Sequence, residues 1–93
     1  MCQIFAGQNP EDYECETRSI RLNGYSTSIR LESAFWDRLE SIAAREGITV
    51  PQFVSTLHAE VLELRGEVGN FTSLLRCACL IDAGDEVPAL AAE

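Results

Sequence analysis

Tyr25-Ser26-Thr27-Ser28-Ile29-Arg30-Leu31-Glu32 alternates polar and apolar residues and runs directly into a helix signal. Successive strand side chains point to opposite faces, so Thr27, Ile29 and Leu31 share one side and Ser26, Ser28 and Arg30 the other. The first side requires a core, and the second is free for a partner. Upstream, residues 17–22 alternate as well, and the intervening Asn23-Gly24 suits a type I′ turn, whose two central residues need positive φ. A two-residue loop sets Leu22 opposite Tyr25 and Ile20 opposite Thr27 on the apolar face. It sets Arg21 opposite Ser26, Ser19 opposite Ser28 and Thr17 opposite Arg30 on the polar one. Arg18, opposite Ile29, is the exception. The expectation is a β-hairpin over 17–31.

Downstream, Phe35, Trp36, Leu39, Ile42 and Ala43 recur at helical spacing, predicting helix A over 33–46 with Ser33 as N-cap and Gly47 as its stop. Thr49-Val50-Pro51-Gln52 fits a capping box, with Ile48 and Phe53 at the hydrophobic-staple positions and Pro51 in the tolerant first turn. Helix B is expected over 50–65, burying Phe53, Val54, Leu57, Val61 and Leu64. Helix C, capped by Asn70, is expected over 70–82 and buries Phe71, Leu74, Leu75, Ala78 and Ile81. Residues 1–16 read as an irregular acidic arm in which Cys2-Gln3-Ile4-Phe5 suits a short strand, and 83–93 as a frayed acidic tail. The chain is read as free of internal repeats.

A chain of 93 residues forms one small domain that buries a modest share of its surface, which favours oligomerisation. No apolar run approaches the ~20 residues of a membrane span, and the N-terminal residues have no basic lead-in of the kind that opens a secretory signal. The expected location is the cytoplasm, and the four cysteines, Cys2, Cys15, Cys77 and Cys79, are expected as free thiols. The formal charge is −8, and all seven basic residues are arginines. Phosphate backbones repel such a chain unless its cations are concentrated on one surface. Residues 17–31 supply that concentration, carrying Arg18, Arg21 and Arg30 without an acid.

The run Thr27-Ser28-Ile29-Arg30-Leu31-Glu32-Ser33-Ala34-Phe35-Trp36-Asp37-Arg38-Leu39 and the helix entry Gly47-Ile48-Thr49-Val50-Pro51-Gln52-Phe53-Val54 resemble the ribbon-helix-helix family of dimeric bacterial DNA-binding proteins. The leading hairpin, the Phe35-Trp36 pair and Gly69-Asn70-Phe71-Thr72-Ser73-Leu74-Leu75-Arg76 are similar to a small subfamily with a leading strand and a third helix. The implied fold is α+β, mostly α, as an intertwined homodimer or higher oligomer, with a ribbon-helix-helix domain over 17–82. The implied function is sequence-specific transcriptional regulation through the β-ribbon on double-stranded DNA. By the same resemblance Ser26, Ser28 and Arg30 contact bases, and Thr49 and the amides around Val50 hold a phosphate; Arg18 and Arg21 reach phosphates if the leading strand rides against the backbones. Ile29, Leu31, Phe35, Trp36, Leu39, Phe53 and Leu57 would form the dimer core.

The leading strand complicates that picture. Two hairpins joined edge to edge give four strands, ~14 Å between outer backbones at ~4.8 Å spacing, against a major groove ~12 Å wide. Either 17–22 peels away or rides on the backbones, or the protein does not insert. The alternative function is a dimerisation module for protein contact or for ligand or thiol sensing. Cys2 and Cys15 are the remaining candidates for a metal or redox site, although no full ligand set accompanies them and no cofactor is expected. Cys77 and Cys79 point in different directions on a helix and are expected as small buried residues. His58 is expected to be partly exposed. No enzyme constellation is present in the sequence.

Overall fold

The computed structural model describes residues 2–86. Asn23 and Gly24, with φ of 51° and 86°, turn the chain between strands β1 (Cys15–Leu22) and β2 (Tyr25–Glu32). The strands pair antiparallel over their full length, with Leu22 against Tyr25, Ser19 against Ser28 and Cys15 against Glu32. These two strands make the whole sheet among the described residues. A short helix α1 (Cys2–Ala6) and a 3-10 turn (Pro10–Tyr13) precede them, so the expected irregular arm contains helix in place of the short strand. The Glu14 carbonyl accepts both the backbone N–H (2.8 Å) and the hydroxyl (3.0 Å) of Ser33. Ser33 is thus the first residue of helix α2 (Ser33–Glu46) and ties it to the segment before β1, while Glu32 takes the N-cap position.

Helix α2 ends at Gly47, whose φ of 73° a side chain would strain. Helix α3 (Val50–Arg65) opens with the full capping box. Thr49 Oγ1 accepts from the Gln52 N–H at 3.2 Å, and Gln52 Oε1 accepts from the Thr49 N–H at 2.9 Å. Helix α4 (Phe71–Glu86) begins after Asn70, which adopts φ 52° and lends its carbonyl to the Leu74 N–H. This left-handed geometry differs from the extended one of a side-chain N-cap. The expected tail at 83–93 therefore begins inside α4, and residues 87–93 lie outside those described.

The three long helices back one face of the hairpin. Ile20, Leu22, Ile29 and Leu31 from the sheet meet Trp36, Leu39, Ala43, Val50, Val54, Leu75 and Cys79 in a single core. Trp36 is fully buried, and its Nε1 donates to the Glu16 carbonyl at 2.8 Å, satisfying a polar atom that burial would otherwise penalise. Ile29, Leu31, Trp36 and Leu39, expected in a core shared by two chains, are buried within one; Phe35, Phe53 and Leu57 are half-buried at its margin. Leu64 and Ile81 are exposed; Ile81 lies off the face of α4 on which Leu75 and Cys79 enter the core and Asp82 meets α2. Thr27 and Tyr25 lie on the core side of β2 but are exposed, Tyr25 by 75%. They overhang an open groove bordered by His58 and Phe71 that no element fills.

The register also brings out a short repeat, contrary to the expectation of none. Ser19-Ile20-Arg21-Leu22 and Ser28-Ile29-Arg30-Leu31 are identical, and Ser19 pairs with Ser28. A local two-fold axis through that pair carries each strand's tetrapeptide onto the other's.

Candidate nucleic-acid interface

Pleating sends Thr17, Ser19, Arg21, Ser26, Ser28 and Arg30 to the face away from the helices, where all six are exposed. Ser19 and Ser26 share a hydroxyl hydrogen bond of 2.7 Å, and Arg21 Nη1 donates to the Gly24 carbonyl at 3.2 Å. Neither Arg21 nor Arg30 forms a carboxylate ion pair among the described residues. Arg18, Arg38, Arg45 and Arg76, by contrast, are all engaged by acids, and Arg65, exposed in the last turn of α3, is the one arginine away from the hairpin without an ion pair among the described residues.

Arg18 belongs to the opposite face, since strand alternation places it with Ile20 and Leu22. Its guanidinium stacks 4.5 Å from the Trp36 ring centroid and pairs with Glu16 at 2.6 Å and Glu40 at 2.9 Å. The Glu16 hydrogen bond is the larger cause of its raised pKa, opposed by partial desolvation. The structure therefore separates Arg18 from Arg21 and Arg30, its neighbours in the acid-free stretch of sequence.

Glu32 ends the outward row of β2. Arg76 from α4 holds it through Nε at 3.0 Å and Nη2 at 3.4 Å, and that hydrogen bond is the main cause of a lowered carboxyl pKa, with Arg30 adding a weaker coulombic pull. The acid nearest the Arg30 end of the face is thus matched by a cation from the helical side. Asp82 is likewise shared by Arg38, at 3.2 Å, and Arg45, and these hydrogen bonds lower its pKa, Arg45 first.

The entry of α3 lies beside the hairpin turn. Arg21, Asn23 and Gly24 line an open groove with Pro51, Gln52 and Ser55, of about 630 Å³. The expected phosphate anchor is narrower than a bare helix terminus. Thr49 Oγ1 is occupied by Gln52, the Phe53 N–H by the Thr49 carbonyl, and Pro51 has no N–H, so the Val50 amide is the first-turn donor left for an anion among the described residues. The Val50 side chain is buried in the core.

The remaining candidates are dispersed. Cys2 and Cys15 are exposed, and no group of three or more metal-ligating side chains occurs among the described residues. Cys79 is buried, donates to the Phe35 carbonyl at 3.7 Å, and has a thiol pKa pushed by burial up to about 11. Cys77, expected to be buried with it, is exposed because the helix turns it away. His58 meets the Phe71 ring edge-on, centroids 5.0 Å apart. No helix among the described residues is long and apolar enough to cross a membrane.

Comparison with known proteins gives a family match and a structural one. A family model described as the ribbon-helix-helix domain matches residues 15–83. The solved structure of an uncharacterized protein from Bordetella pertussis Tohama I is similar at a TM-score of 0.87 and 47% sequence identity, covering 98% of this chain and 76% of that one. No curated protein matches.

Proposed function

The chain belongs to the ribbon-helix-helix domain family, whose members generally bind DNA as dimers, and from that premise we propose that it is a sequence-specific DNA-binding transcriptional regulator acting as a homodimer. The observation that carries this reading is the segregation of charge: Arg21 and Arg30 lie without carboxylate partners on one exposed face, while the paired arginines lie toward the helices. A chain of net charge −8 does not approach a polyanion unless such a face exists. Arg suits the task because its planar fork donates two hydrogen bonds to guanine O6 and N7, and the adjacent serines can meet several base edges. The Val50 amide would then rest against a backbone bordering the groove. Phe35, Phe53 and Leu57, half-buried in one chain, offer apolar area to a second copy.

A mobility shift on genomic duplex fragments at low and rising salt tests the proposal. Binding is expected to weaken steeply with salt and to fall in Arg30→Ala. Absence of duplex binding by the wild-type chain at low salt would remove the reading.

A further inference from the structure

The repeated tetrapeptide assigns a role to β1 that a widened dimeric sheet cannot give it. We propose that the DNA-reading ribbon is the hairpin of a single chain: β1 and β2 enter one major groove together, and Arg21 reads a base as the two-fold counterpart of Arg30. This inference rests on the DNA-binding reading above.

Two independent observations lead here. The first is symmetry. Ser19-Ile20-Arg21-Leu22 and Ser28-Ile29-Arg30-Leu31 run antiparallel with Ser19 against Ser28, so the local axis passes through that serine pair and carries Arg21 onto Arg30. The same operation exchanges buried Ile20 and Leu22 with buried Ile29 and Leu31. Within the four repeated residues both faces of the hairpin obey the axis, which Arg18 and Thr27, one position earlier, do not. Duplex DNA has its own local two-folds, and a protein two-fold placed on one of them meets matching base edges on the two strands.

The second observation is size. Paired strands ~4.8 Å apart fit a groove ~12 Å wide, whereas four strands do not. Among the described residues the hairpin is a two-stranded sheet whose repeated inner residues Ile20, Leu22, Ile29 and Leu31 are covered by the chain's own helices, while Tyr25 and Thr27 stay exposed. It needs no strand from a partner to become a backed ribbon. Arg21 and Arg30 stand two residues out from the axis in opposite directions, about 14 Å apart along the ribbon at ~3.4 Å per residue. That spans roughly four base-pair steps at ~3.4 Å each. A homodimer built this way presents two ribbons and reads the same short motif twice.

The test selects bound sequences from a randomised duplex pool with the full-length wild type, Arg21→Ala, Arg30→Ala and the double variant, their folding checked by circular dichroism. The wild type is expected to enrich a short motif with two-fold symmetry. Each single variant should lose one half of that motif, with a roughly five- to hundredfold drop in affinity for the selected site, and the double variant should lose both halves. The inference is overturned if Arg30→Ala erases both halves while Arg21→Ala leaves the motif intact, the pattern of a ribbon made from β2 of two chains. It is also overturned if Arg21→Ala weakens all sequences uniformly, as a phosphate contact would. If the wild type binds no duplex, the functional reading fails, and this inference fails with it.

Discussion

The two strands of the hairpin carry the same four residues in different surroundings, and the difference separates what the fold requires from what a ligand would require. Ile20 and Leu22 on β1 are as deeply buried as Ile29 and Leu31 on β2, and Arg21 is exposed as Arg30 is. The match breaks one position before each repeat. Arg18 is stacked on Trp36 and held by Glu16 and Glu40, whereas its counterpart Thr27 faces an open groove. Packing explains the inner pairs in both strands and explains Arg18. It leaves the duplicated outward arginines without a carboxylate ion pair among the described residues, Arg21 reaching only the Gly24 carbonyl of its own turn.

The largest effect is expected from removing Trp36, the residue that makes β1 and β2 unequal. Trp36→Ala should cost about 3–5 kcal/mol of folding stability, since it empties a fully buried site, removes the donor to the Glu16 carbonyl and takes away the ring on which the Arg18 guanidinium stacks. Urea denaturation measures this, and a loss below ~1 kcal/mol would mean that the inner face is less tightly packed than described. Next in size, Arg21→Ala and Arg30→Ala should each cost about 1–3 kcal/mol of binding to a preferred duplex while leaving the melting temperature nearly unchanged. Equal effects would sharpen the equivalence of the strands.

Thr49→Ala should destabilise by about 1 kcal/mol, because it breaks the reciprocal cap at the start of α3 beside the hairpin turn. Glu32→Gln should have the smallest effect, and a pH-dependent one. Because Arg76 lowers the Glu32 carboxyl pKa in the folded state, the pair's contribution is present above the unfolded carboxylate pKa and is lost as pH falls through the folded one. The melting-temperature difference between wild type and Glu32→Gln should therefore be visible at neutral pH and vanish in acid. A difference that persists at low pH would point to packing as its cause.

Local signals were legible where neighbouring residues decide the structure. Asn23-Gly24 set the turn and register, and Thr49 with Gln52 set the entry of α3, each through contacts within a few residues. The place of Arg18 was not legible, because it depends on Glu40 and Trp36, distant in sequence and brought near only by α2 packing under β1. The Ser33 hydroxyl went to Glu14 for the same reason. Cys77 and Cys79 differ in burial because the phase of α4 against α2 decides which of them turns inward. The repeated tetrapeptide was in plain letters, but its spacing is far shorter than the ~20–50 residues of repeat architectures, and its meaning lies in the pairing of Ser19 with Ser28. Within the interface, alternation and the Asn23-Gly24 turn suffice to put Thr17, Ser19, Arg21, Ser26, Ser28 and Arg30 on one face in the register that the strands adopt.

The proposed function places DNA reading on the outward face of the hairpin. Its most direct test is the preference of the folded chain for a selected duplex over a scrambled one, measured for the wild type and for Arg21→Ala/Arg30→Ala at one fixed salt concentration. The expected result is a clear wild-type preference that the double variant loses while retaining its helical spectrum and melting temperature. A preference that survives in the double variant would contradict the claim.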